Sequence, residues 1–316
     1  MASASAAAPP RRTLLANVAL AIASPLVVLL VLEGLARLVG LEPPVMLRAS
    51  ASACTRHDPR YGYGFRPSCE GVLTGTPFRT NAAGLRGPAL RDDGSTRLLV
   101  IGDSCTFGYH VAEDDAYPSV LQRLLDTRRG PGRYQVLNGG AVGYTSLHGL
   151  RFLEEHGMTL RPQLVVAAYM WNDAAAGPDV ERQLDTPPPS PLVVAADDFL
   201  LEHSQLYRWV EGLVAQRAGG GVLPPMRRHK VPPDHYEANL RRIVQVARAG
   251  GARVALIDWG VGPRGYHDAL ARVAADEHLP VVRYDGPRMD LIHPTVEGHH
   301  ALAEQLYAAL DRAGYL

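Results

Sequence analysis

The sequence contains little cysteine and carries no net charge. Its 316 residues include three cysteines, Cys54, Cys69 and Cys105, and no CxxC pair, which argues against a structural zinc site. Lys and Arg (32) balance Asp and Glu (32), and there is no basic stripe of the kind that binds nucleic acid. There is also no internal repeat. With 47% hydrophobic and 20% charged residues, the composition is that of an ordinary globular protein.

One long apolar run lies near the N-terminus. Residues 14–32, LLANVALAIASPLVVLLVL, contain no charge and are long enough to cross a bilayer as a helix. Arg11 and Arg12 precede the run, which favours a cytoplasmic N-terminus with the rest of the chain outside. We therefore predict a cytoplasmic segment at 1–12 and a single-pass membrane anchor at 13–39. A cleaved signal peptide and a buried core helix are the alternatives.

The next segment, residues 40–96, is rich in Pro, Gly, Arg and Tyr. We interpret it as a stalk followed by a lead-in of short strands and turns that packs on the main domain. Cys54 and Cys69 lie in it, and the sequence alone leaves open whether they form a disulfide or two free thiols. Cys105 lies outside this segment and is interpreted as a small buried packing residue.

From residue 97 onwards, apolar strands alternate with amphipathic helices, which predicts a parallel sheet covered on both faces. Five strands are expected at 97–102, 134–140, 163–170, 252–260 and 279–286, with helices at 114–128, 146–157, 237–249, 266–278 and 295–314. Residues 174–234 interrupt this rhythm with Pro-rich and Gly-rich stretches and one helical piece near 203–217. We interpret that interruption as an insertion beside the site.

Five candidate residues follow the predicted strands at their carboxyl ends, where ligand sites of such sheets lie. They are Ser104, Gly143, Asn172, Asp290 and His293. A Gly-Asp-Ser tripeptide alone is as typical of a turn as of a nucleophile. The convergence of all five residues at one edge of the sheet favours a catalytic site over a simple turn.

The residue types fit nucleophilic catalysis. A serine hydroxyl needs a base within hydrogen-bond reach, and His293 suits that role near neutral pH. Asp290, three residues earlier, is close enough to orient the imidazole. The Gly143 backbone N–H and the Asn172 amide are candidate donors to a developing oxyanion. Asp103 and Asp173 are expected to bond loop amides, and His299 and His300 lack partners at metal-ligand spacing.

These motifs resemble the GDSL/SGNH hydrolase superfamily over about residues 97–312. GDS at 102–104, the glycine of AVGYTS, WND at 171–173 and DLIH at 290–293 are similar to its four motifs in order. The resemblance implies a flavodoxin-like three-layer α/β/α sandwich at 97–316 with a five-stranded parallel sheet. The lead-in NAAGLRG and the apolar run are similar to those of membrane-tethered bacterial members. Met170 departs from the pattern because it stands where the third motif usually has Gly, which leaves the acyl size open.

Carried over by position, the resemblance makes Ser104 the nucleophile, His293 the base and Asp290 its orienting residue. The oxyanion hole would comprise the Ser104 amide, Gly143 and Asn172. This implies hydrolysis of short-chain or acetyl O-acyl esters through an acyl-serine, without cofactor or metal, on an envelope carbohydrate, a lipid or a small ester. An O-acyltransferase that acylates a polysaccharide hydroxyl and a tethered, non-enzymatic binding protein are the alternatives.

Overall fold

The computed structural model describes residues 11–41, 53–73, 75–177, 179–185, 190–220 and 229–316. Its first helix, α1 (Arg11–Leu38), covers the predicted anchor, 13–39, except for the last residue. By length and composition this helix qualifies as a membrane span, and a signal sequence near the N-terminus would satisfy the same criteria. The predicted cytoplasmic segment 1–12 lies outside the described residues except for its last two positions, and residues 42–52 of the predicted stalk lie outside them too.

Two antiparallel hairpins form the lead-in, as the short strand-and-turn pattern predicts. The first pairs β1 (Thr55–Asp58) with β2 (Gly62–Phe65), and the second pairs β3 (Glu70–Leu73) with β4 (Thr76–Arg79). Cys54 and Cys69 form a disulfide that ties the start of the first hairpin to the start of the second. The lead-in is thereby cross-linked where it packs on the main domain.

The main domain is built on a five-stranded parallel sheet in the order β6-β5-β7-β8-β9. Its strands are β5 (Thr96–Gly102), β6 (Tyr134–Gly140), β7 (Leu164–Ala168), β8 (Arg253–Asp258) and β9 (Val281–Arg283). Strands β6 and β7 are buried throughout, as expected of a sheet covered on both faces. This is the flavodoxin-like strand order, and its topological switch point lies at β5 and β7.

Helices cover both faces of this sheet, which gives the three layers predicted from the sequence. On one face α3 (Tyr117–Arg129) packs against α11 (Val296–Arg312). On the other, α9 (Pro233–Ala249) packs between α4 (Ser146–Glu155) and α10 (Arg264–Asp276). Right-handed crossovers place the helices in this way. The chain moves from β5 to β6 in one direction and then returns across the sheet, so the helices of the two directions lie on opposite faces.

The predicted insertion at 174–234 contains more helix than expected. After the short helices α2 (Ser104–Phe107) and α5 (Trp171–Ala174), the chain forms α6 (Val180–Asp185), α7 (Pro191–His203) and α8 (Gln205–Gly220). The helical piece predicted near 203–217 corresponds to α8, whereas α6 and α7 were not predicted. Helices α7 and α8 meet at Ser204, whose hydroxyl caps α8 by accepting the N–H of Tyr207 at 3.0 Å. Residues 178, 186–189 and 221–228 lie outside the described residues.

Candidate active site

Ser104 lies where β5 ends and α2 begins. Its neighbour Asp103 caps the helix by accepting the backbone N–H of Cys105 at 3.0 Å, as expected of a carboxylate that bonds a loop amide. Gly102 permits the tight turn, because a Cβ there would lie 2.0 Å from the hydroxyl oxygen of Thr106. Burial raises the pKa of Asp103 to about 7. The turn therefore holds Ser104 at the edge of the sheet by capping and close packing.

A chain of two hydrogen bonds links Ser104 to His293 and Asp290. The Oγ atom of Ser104 lies 2.9 Å from Nε2 of His293, and Nδ1 of the same ring lies 2.7 Å from Oδ2 of Asp290. An ionised carboxylate can only accept, so Nδ1 carries the proton and Nε2 accepts from the serine hydroxyl. This tautomer leaves the imidazole able to take the serine proton.

The Asp290 carboxylate is fixed by its own loop. Its Oδ1 atom accepts the backbone N–H groups of Ile292 at 2.8 Å and of His293 at 2.7 Å. Burial acts to raise the pKa of Asp290, but the hydrogen bonds from the His293 ring and from these N–H groups outweigh it and hold the pKa below its usual value. Asp290 therefore stays ionised and keeps the imidazole in one orientation.

One face of the His293 ring contacts an aromatic side chain. The ring of Tyr109 stacks on the imidazole with 4.6 Å between ring centroids and 28° between ring planes. Tyr109 was not among the candidate residues, because it follows the α2 turn and lies far from His293 in sequence. Its contact restricts rotation of the imidazole away from Ser104.

Gly143 occupies a turn that a residue with a side chain would strain. The N–H of Tyr144 donates to the carbonyl of Ala141 at 3.2 Å, and Gly143 has φ +84°, the value that the third position of a type II turn requires. A Cβ at this glycine would meet no described atom within 4 Å. The Asn172 side-chain N–H₂ donates to the carbonyl of Tyr144 at 3.0 Å, so the Gly143 turn and Asn172 are bonded to each other.

Met170, the departure from the family pattern, has a buried side chain. It is 1% exposed, and a Cβ on Gly262 would lie 3.2 Å from its sulfur. The methionine therefore fills the space between the ends of β7 and β8, and its substitution for glycine is accommodated by packing while Asn172 keeps its bond to the Gly143 turn.

Asp173, next to Asn172, performs the structural role expected of it. Its carboxylate accepts the backbone N–H of Ser146 at 2.9 Å and also the Ser146 hydroxyl. Ser146 opens α4, so this bond ties the end of β7 to the helix that follows the Gly143 turn. Burial raises the pKa of Asp173 to about 7 in spite of these bonds.

The lead-in supports the Gly143 turn from outside the main domain. The hydroxyl of Tyr63, on β2, donates to the carbonyl of Val142 at 2.5 Å. The hydroxyl of Tyr144 donates in return to the carbonyl of Tyr63. Both residues that flank Gly143 are thus bonded to one tyrosine. This contact was not predicted, since no local sequence pattern indicates a bond between residues so far apart in the chain.

The lead-in also supports the α2 turn. Arg86 is buried and donates to the carbonyls of Phe107 at 2.6 Å, Gly108 at 2.7 Å and Val111 at 2.9 Å, with its guanidinium 4.7 Å from the centroid of the Phe107 ring. Burial lowers the pKa of Arg86 to about 10, so it remains charged at neutral pH. One side chain therefore satisfies three backbone carbonyls in the segment that follows Ser104.

Among the described residues, no group of three His, Cys, Asp or Glu side chains is placed to hold a metal ion. His299 is buried, and its Nδ1 accepts the backbone N–H of Tyr117 at 3.2 Å. His300 lies on the surface, 3.4 Å from a carboxylate oxygen of Asp115. Both histidines therefore have structural partners.

Comparison with known proteins identifies the family. The model of the GDSL-like lipase/acylhydrolase family matches residues 100–301, which is more than half of the chain and includes all five candidate residues. A search of curated proteins found no match.

Among solved structures, TesA is 22% identical over 69% of this chain and 99% of its own, with a TM-score of 0.46. The esterase EstA from Pseudoalteromonas sp. is 16% identical over 69% of this chain and 98% of its own, with a TM-score of 0.45. The acetylxylan esterase Axe2 from Geobacillus stearothermophilus is 19% identical over 70% of this chain and 96% of its own, with a TM-score of 0.45. On the strength of the family match, the chain belongs to the GDSL-like lipase/acylhydrolase family and is a serine hydrolase of carboxylic esters.

Proposed function

We propose that Ser104, His293 and Asp290 are the catalytic triad of an esterase that removes short O-acyl groups, such as acetyl, from esters outside the cytoplasm. The continuous hydrogen bonding from the Ser104 Oγ atom through His293 to Asp290, at 2.9 and 2.7 Å, is the observation that carries the proposal. Both distances are within the range that proton transfer requires.

In the first half of the reaction, the Ser104 oxygen attacks the ester carbonyl and His293 Nε2 takes the hydroxyl proton. The negative charge that develops on the carbonyl oxygen is met by the N–H groups of Ser104, Gly143 and Asn172, each of which contributes roughly 3 kcal/mol to lowering the barrier. Collapse of the tetrahedral intermediate leaves an acyl group on Ser104. The imidazolium gives its proton to the departing alcohol.

In the second half, a water molecule attacks the acyl-serine while His293 again takes a proton. Release of the carboxylic acid returns the proton to the Ser104 oxygen and restores the resting site. Asp290 stabilises the imidazolium in both halves without itself taking a proton. No cofactor takes part in these steps.

The substrate class follows from the proposed location. We assign α1 as an uncleaved anchor with Arg11 and Arg12 on the cytoplasmic side, which places the main domain outside. The Cys54–Cys69 disulfide supports an oxidising compartment. Esters of envelope carbohydrates, of lipids or of small molecules are the substrates within reach there. Leu291, which flanks Asp290, exposes a large apolar surface suited to an acyl-bearing ligand.

The test is hydrolysis of p-nitrophenyl acetate, butyrate and octanoate by the full chain in detergent. Ser104→Ala and His293→Ala should each lower kcat by about a thousandfold or more. His300→Ala is the matched control, since it removes an exposed histidine outside the triad and should keep the parent rate. Parent-like rates in either triad variant would exclude the assignment. Acyl transfer to added polysaccharide with slow ester turnover would instead favour the O-acyltransferase.

A further inference from the structure

Helix α7 has its apolar side chains on the outside. Leu192, Val193, Phe199 and Leu200 are exposed, with Leu192 80% and Phe199 60% accessible. Their spacing places them on one face of the helix, because residues three, four and seven apart lie on the same side. Ala196, also exposed, lies between them on that face. This outer face of α7 is a continuous apolar strip.

Two acidic side chains of α7 bond the helix to the lead-in. Asp198 accepts the backbone N–H of His57 on β1 at 3.0 Å, and Glu202 pairs with Arg66 at 3.1 Å. Leu201, between these acids, is buried. These contacts fix the rotation of the helix, so the apolar strip cannot turn inward without breaking an ion pair and a hydrogen bond.

The C-terminal end of α7 is bonded to the end of α1. The guanidinium of Arg37 donates to the carbonyl of His203 at 2.5 Å. The carboxylate of Glu33 caps α8 by accepting the N–H groups of Gln205 and Leu206, both at 3.0 Å. It also accepts the hydroxyl of Ser204 at 2.7 Å. The α7–α8 junction is therefore attached to the last turns of the proposed anchor.

The position of Glu33 relative to a bilayer follows from the length of the uncharged run. Residues 13–32 contain no charged side chain, and these 20 residues span about 30 Å as a helix. The hydrocarbon core of a bilayer is also about 30 Å thick. Glu33, the first charged residue after the run, then lies at the boundary of the hydrocarbon, and so do the groups of the α7–α8 junction that bond to it.

We propose that the outer face of α7 lies in the interface of the same bilayer that α1 spans, with lipid covering Leu192, Val193, Phe199 and Leu200. The inference rests on the proposed anchor. An exposed apolar strip at the boundary of the hydrocarbon can be buried between the headgroups and the acyl chains. Because α7 contains no Lys or Arg, its contact is with acyl chains and does not need anionic headgroups. The bond between Asp198 and His57 connects α7 to the β1–β2 hairpin, and that hairpin supports the Gly143 turn.

The test uses the full chain in phosphatidylcholine nanodiscs with one spin label at a time. Leu192→Cys and Phe199→Cys carry labels on the proposed lipid face. Leu26→Cys, within α1, is the lipid reference, and Arg264→Cys, whose native side chain is 93% exposed, is the aqueous reference. The native cysteines do not compete, because two form the disulfide and Cys105 is buried. Power saturation compares access of oxygen, which dissolves in lipid, with access of a water-soluble nickel chelate.

The proposal expects the labels at positions 192 and 199 to favour oxygen over nickel as the Leu26 label does. Nickel access equal to that of the Arg264 label would overturn it. Shielding from both reagents would also overturn it and would indicate a protein partner. A Leu26 label in water would refute both the anchor and this inference. Hydrolysis of p-nitrophenyl acetate by the same samples shows separately that the labelled proteins are folded and that the esterase assignment holds.

Discussion

Removing the Tyr63 hydroxyl should weaken catalysis without changing any residue of the proposed triad. In Tyr63→Phe the carbonyl of Val142 loses the donor that lies 2.5 Å away, while the backbone carbonyl of Tyr63 still accepts the Tyr144 hydroxyl. Loss of one partly buried hydrogen bond costs about 1 kcal/mol. Removing an oxyanion donor outright costs roughly a hundredfold to a thousandfold in kcat. In Tyr63→Phe the Gly143 turn is loosened but still present, so kcat should fall about tenfold, which equals about 1.4 kcal/mol of barrier.

Steady-state hydrolysis of p-nitrophenyl acetate measures this effect. KM should stay within about twofold, because the proposed oxyanion donors act on the transition state. Tyr61→Phe is the matched control. It removes from the same hairpin a hydroxyl whose side-chain hydrogen bonds are to Asp58 and Arg56, while the Tyr61 ring packs edge-on against Phe152. Urea unfolding of both variants separates a loss of stability from a loss of rate. Equal kcat values for the two variants would refute the positioning role of Tyr63.

Three further changes have distinct expected outcomes. Met170→Ala should lower the free energy of unfolding by about 2–5 kcal/mol and leave the acyl-chain preference unchanged, because the side chain is buried. Urea unfolding and the p-nitrophenyl ester series test this, and a shifted acyl-chain preference would contradict it. Asp290→Asn should keep the fold and lower kcat by roughly ten-thousandfold, because an amide can hold the imidazole in the wrong tautomer; a loss below tenfold would argue against that role. The pKa of Asp103 is about 7 in the folded state, above its value in the unfolded state. Between about pH 4 and pH 7 the folded state therefore keeps a proton that the unfolded state releases, and the free energy of unfolding falls as the pH rises. Relative to the parent, Asp103→Asn should therefore gain up to about 4 kcal/mol between pH 4 and pH 8 in urea unfolding, and a pH-independent difference would contradict this.

The sheet was predictable because its strands are short apolar runs with breakers at both ends. The prediction for β6, residues 134–140, coincides with the observed strand. The last strand was predicted too long, at 279–286, because β9 is an edge strand whose one partner, β8, ends at Asp258. Asp258 pairs with Arg283, so residues after Arg283 have no neighbouring strand with which to continue the sheet.

Helix boundaries and the insertion depended on contacts that a local pattern does not contain. Helix α9 begins at Pro233, earlier than the predicted 237, because a proline suits the first turn of a helix. Helix α7 was missed because apolar residues lie around most of its circumference, so its sequence has only a weak amphipathic pattern, and a Pro-rich stretch precedes it.

The candidate site was largely accessible from the sequence because its residues follow strands that end at one edge. The structure places Ser104, His293 and Asp290 in hydrogen-bond contact, and it joins Asn172 to the Gly143 turn. Their catalytic roles remain predictions. The supports from the lead-in were inaccessible, since bonds such as that from Tyr63 to Val142 join residues 79 positions apart.

Covalent labelling of Ser104 decides whether this serine is an activated nucleophile. The full chain is treated with a fluorophosphonate, digested and analysed by mass spectrometry, beside Ser104→Ala and His293→Ala. The proposed triad predicts one phosphonyl adduct on the peptide that contains Ser104, no adduct in Ser104→Ala, and strongly slowed labelling in His293→Ala. An unlabelled Ser104 in folded protein, or labelling at the same rate without His293, would contradict the proposed mechanism.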